Sequence, residues 1–358
     1  MVKVKSLFKT IGVPRFIIGM FLISLLMIAP YAGVSLTDSI ENVLARFGMF
    51  SILVLSLVPM VQSGCGLNFG VPIGIVSGIL GGVTSIEFGI KGFPGILLAI
   101  MIGSVIAAIF GAGYGFLLNK IKGDEMLIAT YVGYSFTAFM CMAYLVLPYK
   151  NPVSVLSYSG KGLSQQVPVA DYWMTSRILK DGTKASVGIL DNFLSFKVFG
   201  VSVPVGMYLI FALMALIVWT FFRSKTGTAM TAVGSNPQYA KAAGININQV
   251  RLVSVILSTI IAAVGIIIYQ QSYGFIQLYQ APLAFTFQTV AALLIGGASI
   301  NKASIGHVVI GTFLFQGIIT LTPTVINGAL NIDISEVLRM IITNGMIIYA
   351  LTRRNVDE

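Results

Sequence analysis

Long apolar segments separated by short polar ones make up most of this 358-residue chain. A helix that crosses a membrane needs about 20 mostly apolar residues. The pattern therefore predicts an all-α polytopic membrane protein with ten transmembrane helices, at residues 16–34, 47–63, 69–86, 94–118, 126–148, 205–222, 252–270, 286–299, 304–322 and 336–352.

Three of these segments need comment. Residues 16–34 follow a basic flank, as in a signal peptide, but the stretch is long and lacks a good cleavage site, so we expect a retained helix. Residues 69–86 and 286–299 are short, and the second of these cannot cross a bilayer as a straight helix. Short or interrupted spans often line a cavity instead of facing lipid.

The composition excludes most soluble classes. Hydrophobic residues make up 56% of the chain and charged residues only 9%, whereas soluble proteins carry about 25% charged residues. A soluble enzyme, a disordered regulator and a secreted disulfide scaffold are therefore excluded. The two cysteines, Cys65 and Cys141, lie in apolar runs and indicate neither a disulfide framework nor a metal site.

The net charge of +10 is distributed as in an oriented membrane protein and does not indicate nucleic acid as a partner. With both termini in the cytoplasm, most basic residues fall on inner segments: Lys3, Lys5, Lys9, Arg15, Lys120, Lys122, Arg223, Lys225, Lys241, Arg251, Lys302, Arg353 and Arg354. We expect a basic cytoplasmic N-terminus (1–15), a membrane domain (16–354) with an outer loop (148–204) and an inner loop (223–251), and a short tail (355–358).

The inner loop carries strong helix-boundary signals. Ser235 and Asn236 are good N-caps, Pro237 suits the first helical position, and Gly244 suits a left-handed C-terminal position. We expect a two-turn helix from Pro237 to Ala243 on the cytoplasmic face. Its small side chains permit close docking of another protein, although a capped loop helix without a partner fits the same signals.

Two segments resemble one family of transporters. Residues 227–247, GTAMTAVGSNPQYAKAAGINI, resemble the coupling-loop signature of ABC-importer permeases for branched-chain amino acids, simple sugars and nucleosides. Residues 291–321, with Gly296-Gly297 and Gly311-Thr312, resemble the glycine-rich pattern of the same family. Weaker matches at 64–74 and 118–130 resemble the nucleoside branch, although Pro72 stands where that branch has Glu.

The resemblance implies the partners and the localisation. Such a permease sits in a bacterial or archaeal cell membrane, pairs with an identical or related permease subunit, and receives solute from an extracytoplasmic binding protein. Separate ATPase subunits would contact Gly234, Asn236, Pro237, Ala240, Ala243 and Gly244. ATP is used by that partner, because this sequence has no G-x-x-x-x-G-K-[ST] loop, so we expect no catalytic activity, cofactor or metal in this chain.

Polar residues within apolar segments suggest a solute path. Such groups usually face a cavity or another helix, and the candidates are Asn68, Tyr131, Tyr134, Gln288 and Thr289. Amides and aromatic hydroxyls suit a neutral polar solute such as a nucleoside or sugar, with branched-chain amino acids also open. Asn68 could equally cap a helix or bond another helix, and the sole histidine, His307, is expected to be packed or solvated.

Two other classes of membrane protein fit the sequence less well. An ion-coupled secondary transporter would carry carboxylates at membrane depth, but all twelve acidic residues fall at or near predicted helix boundaries. A membrane-embedded enzyme would need a cluster of His, Asp or Ser at one depth, and the sequence offers none. The sequence favours an ABC-importer permease over both.

Overall fold

A computed structural model describes residues 13–121, 124–156, 161–178, 184–198, 200–300, 302–330 and 333–352. The predicted tail 355–358 lies outside these ranges, as do most of the predicted N-terminal segment and the basic residues Lys122, Arg353 and Arg354.

Helices dominate the described residues, and each predicted transmembrane segment overlaps one. They are α1 (Val13–Ile28), α2 (Leu36–Leu55), α3 (Val58–Gln62), α4 (Val71–Glu87), α5 (Gly92–Lys120), α6 (Glu125–Ala143), α7 (Ala170–Trp173), α8 (Ile189–Asn192), α9 (Val205–Arg223), α10 (Lys225–Ser235), α11 (Pro237–Ala242), α12 (Ile247–Tyr273), α13 (Ala281–Ile295), α14 (Ile305–Leu330) and α15 (Ser335–Thr352).

Several predicted bounds were wrong. The segment predicted at 47–63 is two helices, and α2 begins eleven residues earlier, at Leu36, where the Ser35 side chain accepts from the Asp38 amide. The helix ends at Leu55 because Pro59, four residues on, has no N–H to donate to its carbonyl. The segment predicted at 286–299 is Ala281–Ile295, since Pro282 starts it and Gly297, at φ +92°, follows its end.

Among the described residues, six helical stretches are long and apolar enough to cross a membrane: Leu36–Gln62, Gly92–Lys120, Glu125–Ala143, Val205–Arg223, Ile247–Tyr273 and Ile305–Leu330. Shorter apolar helices occupy Arg15–Ile28, Val71–Glu87 and Ala281–Ile295. These helices establish a polytopic membrane fold.

The centre of the protein is a close three-helix packing of α4, α5 and α12. A Cβ atom placed on Gly74 would lie 2.6 Å from the Thr259 carbonyl oxygen of α12. Gly81 meets the backbone of Gly103 on α5, and Gly111 meets Thr259. Close helix packing in membranes depends on such small residues, so the glycines seen in the sequence hold these helices together.

Gly78→Val should destabilise this packing. A Cβ there would overlap Ile266 and lie 2.5 Å from the Ala263 carbonyl oxygen. Overpacking of this kind costs about 1–3 kcal/mol, which should lower the unfolding temperature in detergent. Gly113→Val is the control, because a Cβ at Gly113 has no atom within 4 Å. Equal unfolding temperatures for the two variants would contradict the packing described.

Short strand pairs and two one-turn helices form a layer on the predicted outer side, where the sequence predicted an outer loop at 148–204. The strands are β1 (Gln166–Pro168), β2 (Met174–Ile178), β3 (Lys184–Gly188), β4 (Phe196–Val198), β5 (Val201–Val203) and β6 (Phe275–Gln277). In the described residues β1 pairs with β6, β2 with β3 and β4 with β5, all antiparallel. The Glu87 carboxylate accepts from the backbone amides of Lys150 and Asn151, which ties this layer to α4.

Asp191 joins the outer layer to the end of α12. Its carboxylate accepts from the Ser272 hydroxyl and, at 3.5 Å, from the Gln271 side-chain amide. The other carboxylate oxygen is buried and has no hydrogen-bond partner among the described residues. Loss of water around the group raises the pKa of Asp191 to about 6. Asp191 lines a pocket together with Glu41 of α2, which is also acidic. No Lys or Arg lines this pocket among the described residues.

The outer layer should therefore be more stable at pH 5 than at pH 7.5. Because the folded-state pKa of Asp191 is above the ordinary value of 3.8, this stabilisation is complete below about pH 4 and is lost as the pH rises through about 6. Protease digestion of the outer layer at both pH values measures it. Asp191→Asn, which mimics the protonated form, should remove most of the difference; an unchanged difference in this variant would contradict the assignment.

Candidate coupling site and solute path

The inner loop forms a compact helical pair, α10 and α11. The Ser224 side chain caps α10 by accepting from the Gly227 amide at 3.2 Å. The Asn236 side chain caps α11 by accepting from the Tyr239 amide at 3.0 Å, and Pro237 occupies the first turn, as the sequence indicated. The predicted end at Ala243 is off by one residue, since Ala243 is the C-cap.

Gly244 ends α11 in the left-handed conformation, at φ +79°. Its amide donates to the Lys241 carbonyl, and the Ile245 amide donates to the Ala240 carbonyl at 3.0 Å. A residue with a side chain adopts this conformation at a cost. The helix end that the sequence predicted is therefore present and depends on this glycine.

A small apolar core of its own supports the pair. Met230, Val233, Ala240 and Val250 are buried together, with Phe221 and Ile245 packed against them. This cluster is separate from the main core of the membrane helices. The pair is therefore held together by an apolar core of its own.

The predicted contact residues divide into two groups. Asn236, Pro237, Ala243 and Gly244 are exposed, whereas Ala240 is fully buried inside the small core. Gly234 faces inward, where a Cβ would overlap the Gln62 carbonyl oxygen. Tyr239, which the sequence analysis missed, is 69% exposed on α11. The sequence signal that could have identified Tyr239 is an aromatic residue in the middle of a capped helix.

An ion pair lies beneath the helical pair. Arg251, near the start of α12, is 3.1 Å from the Glu125 carboxylate at the start of α6, and both side chains are about one-sixth exposed, at 15% and 16%. The same guanidinium donates to the Gly64 carbonyl at 3.4 Å. The pair therefore joins α6, α12 and the link between α3 and α4.

Asn68 lies in that link and is fully buried. Its amide donates to the Ser258 hydroxyl at 2.8 Å, and its oxygen accepts from the Gly70 amide and the Tyr114 hydroxyl. Asn68 thus fixes the backbone just before α4 and bonds α5 and α12, so of the two alternatives the structure supports the bond to another helix and not the cap.

The other predicted path residues lie on α6 and α13, two helices that contact each other. Thr289 of α13 is buried and donates to the Thr286 carbonyl, while Gln288 is half-buried. Tyr131 and Tyr134 are 66% and 42% exposed on α6. The rings of Phe69 and Phe287, next to Asn68 and Gln288 in the chain, lie 5.7 Å apart. The structure therefore brings together the helices that carry the candidates, while the polar atoms of Asn68 point to α5 and α12.

The exposed face of α6 carries polar side chains without hydrogen-bond partners among the described residues. Tyr131, Tyr134 and Ser135 make no side-chain hydrogen bond to any described residue, and Tyr131 and Ser135 line a shallow groove with Phe139. Asn344, in the middle of α15, is also exposed and was missed by the sequence analysis. Polar groups at this depth usually face water or another helix.

Comparison with known proteins decides the family. The family described as branched-chain amino acid transport system / permease component matches residues 39–351. The chain belongs to this family. It is 26% identical, over 84% of its length and 76% of the relative's, to the nucleoside ABC transporter permease protein NupB of Lactococcus lactis subsp. cremoris (strain MG1363).

Two further relatives match part of the chain. The autoinducer 2 import system permease protein LsrC of Enterobacter sp. (strain 638) is 30% identical over 36% of each chain. The probable ABC transporter permease protein YphD of Escherichia coli (strain K12) is 28% identical over 42% of this chain and 43% of its own. No solved structure gives a significant match.

These findings fix the class of protein. The chain is the permease subunit of an ABC importer and a multi-pass protein of the inner membrane. An ion-coupled secondary transporter, the alternative kept open by the sequence, is not favoured. Permeases of this family are not themselves the catalytic subunits of their transporters.

Proposed function

We propose that this permease moves a nucleoside, or a simple sugar of similar polarity, into the cell. The observation that carries the proposal is the likeness to a nucleoside permease over 84% of the chain. The hydroxyl groups of Tyr131 and Tyr134 and the amide of Gln288 support it, since uncharged hydrogen-bonding groups and aromatic faces suit such solutes. Asn68 and Thr289 are buried and hydrogen-bonded within the protein, so they shape the surroundings of the path and do not line it. A branched-chain amino acid would need partners for its charged ends.

The topology we propose has ten crossings with both termini in the cytoplasm. It counts α2 and α3 as one crossing and includes the short helices α1, α4, α13 and α15. The basic residues Arg223, Lys225, Lys241 and Arg251 then lie on the inner side, in agreement with the positive-inside rule. The membrane domain is 16–354, the outer layer 148–204 and the coupling loop 223–251.

The exposed surface of α11 is the proposed contact for an ABC ATPase. Asn236, Pro237, Tyr239, Ala243 and Gly244 would touch the partner, while Ala240 holds α11 on its small core and Gly234 seats the pair on the membrane domain. ATP is bound and hydrolysed in that partner. An extracytoplasmic binding protein would deliver solute to the outer layer.

The exposed face of α6 is the proposed contact for the second permease subunit. A partner helix or a water-filled path would satisfy Tyr131, Tyr134 and Ser135, which bulk lipid cannot. The solute path would then run beside α6 and α13, between the two subunits. Whether the second subunit is identical or related is decided by its mass in the purified complex.

Uptake into proteoliposomes tests the proposal. Complexes purified from native membranes, with the associated ATPase and binding protein, are supplied with ATP and labelled adenosine, uridine, ribose or leucine. We expect saturable nucleoside or sugar uptake that persists when ionophores collapse the ion gradients. Recovery of the chain without an ATPase in every mild detergent, or uptake abolished by an uncoupler at constant ATP, would contradict it.

A further inference from the structure

Two glycines bring the coupling loop into direct backbone contact with the membrane domain. Gly234, the last but one residue of α10, lies against the turn that follows α3. A Cβ on Gly234 would overlap the Gln62 carbonyl oxygen and lie 3.1 Å from the Gly64 amide nitrogen. A Cβ on Gly64 would lie 3.0 Å from the Gly234 Cα atom. No flexible side chain separates the two backbones, so a displacement of one must displace the other.

The receiving segment is the non-helical link 63–70, Ser63-Gly-Cys-Gly-Leu-Asn-Phe-Gly70. Gly64 and Gly66 adopt φ of +73° and +76°, which places two sharp turns within three residues. Most of the link is buried. Buried non-helical backbone at membrane level persists only where the protein satisfies its polar groups. Fixed contacts therefore determine the position of this link.

Those contacts run along one face of α12. The Arg251 guanidinium donates to the Gly64 carbonyl, the Ser254 hydroxyl to the Ser63 hydroxyl at 2.8 Å, and Ser258 accepts from the Asn68 amide at 2.8 Å. Positions 251, 254 and 258 follow the three- and four-residue spacing of one helix face and span roughly 10 Å of helix axis. The link is attached to α12 at three successive heights.

The far end of the link reaches the centre of the protein. The Asn68 oxygen accepts from the amide of Gly70, the residue just before α4, and from the Tyr114 hydroxyl of α5. The Ser258 hydroxyl in turn donates to the Ser56 carbonyl between α2 and α3. An unbroken series of contacts therefore leads from α10 through the link to α4, α5 and α12.

We propose that the link 63–70 receives the movement of the coupling loop and passes it to α4 and α12, with Gly234 and Gly64 as the positioning residues. This role rests on the proposed function, in which an ATPase moves α10 and α11. Because both contact residues are glycines, no side chain can yield between the two backbones. A displacement of α10 therefore passes to the link undiminished. The three attachments to α12 then turn a local push into a shift of a whole helix.

The test is the number of solute molecules transported per ATP hydrolysed by the complete transporter in proteoliposomes. Gly234→Ala forces the two backbones apart. The matched control is Gly306→Ala, near the start of α14, where the nearest atom to a new Cβ is the Ser304 Oγ at 3.7 Å. We expect Gly234→Ala to assemble and to hydrolyse ATP, with the ratio reduced about tenfold or more, and Gly306→Ala to keep the wild-type ratio.

A second variant covers failure of Gly234→Ala to fold. Ser258→Ala removes the link's deepest attachment to α12 and should also lower the ratio, with ATP hydrolysis retained. A wild-type ratio in every variant that assembles would overturn the role of the link. Absence of ATP-dependent uptake in the wild-type complex would instead overturn the proposed function, so the two failures are distinguishable.

Discussion

Replacing Glu125 by Gln should destabilise the protein by about 3 kcal/mol, because removing one member of a largely buried ion pair leaves the other charge without compensation. The Gln side-chain oxygen can still accept from Arg251, but the guanidinium loses its charged partner, its contact to the Gly64 carbonyl is long, and its Nε already lacks a partner among the described residues. Denaturant titration in detergent, followed by tryptophan fluorescence, measures the loss. Because the pair joins α6 to α12, transport should fall as well.

The double variant Glu125→Leu/Arg251→Met is the control. It removes both charges and fills the site with apolar side chains, so we expect it to recover most of the lost stability. The surface pair Arg339–Glu336, at 2.9 Å but with side chains 46% and 84% exposed, is a second comparison. Its removal should cost well under 1 kcal/mol. Equal losses at the two pairs would contradict the structural role assigned to Arg251 and Glu125.

Replacing Gly244 by Ile should reduce transport about tenfold or more while the protein still inserts into the membrane. The cost is conformational: φ at this position is +79°, and a β-branched residue pays about 2 kcal/mol or more there. Space is not the limit, since a Cβ would meet no atom within 4 Å. The end of α11 should therefore unwind, and the amount of ATPase recovered with the permease should fall.

Gly244→Asn is the matched control, because Asn tolerates the left-handed conformation better than other side chains. It should keep most of the transport and most of the bound ATPase. Initial uptake rates and ATPase recovery, both normalised to the permease in the membrane, separate the two variants. Equal transport by the Ile variant and the wild type would remove the reason to treat the end of α11 as part of the coupling site.

Much of the fold was predictable, because spans and caps are local signals. Each predicted transmembrane segment overlaps a helix, and the cap at Asn236 and the end at Gly244 were both correctly placed. The errors lie where hydropathy and helical structure differ. Helix α2 starts at Leu36, but the polar residues that follow Leu36 lower the mean hydropathy there, so the predicted segment began too late. Pro59 interrupts the helix in the middle of an apolar run.

The contacts that join the coupling loop to the membrane domain were not predictable. Gly64 and Gly234 are 170 positions apart (234 − 64), and Glu125 and Arg251 are 126 apart. Nothing in the spacing of one chain shows that such residues meet. Asn68 shows the same limit, since its position indicated a polar group at membrane depth, and only the structure shows that its bonds go to Ser258 and Tyr114.

Site-directed crosslinking at α11 tests the central claim, which is that a separate ATPase binds this helix on the cytoplasmic side. Tyr239→Cys is made with Cys141 replaced by Ala, leaving only the buried Cys65, and Tyr31→Cys, at a site 92% exposed between α1 and α2, is the control. We predict that a thiol crosslinker in native membranes joins Cys at 239, and not at 31, to an ATPase subunit. Labelling of position 239 by a membrane-impermeant reagent added outside the cell, with no crosslink to an ATPase, would contradict the account.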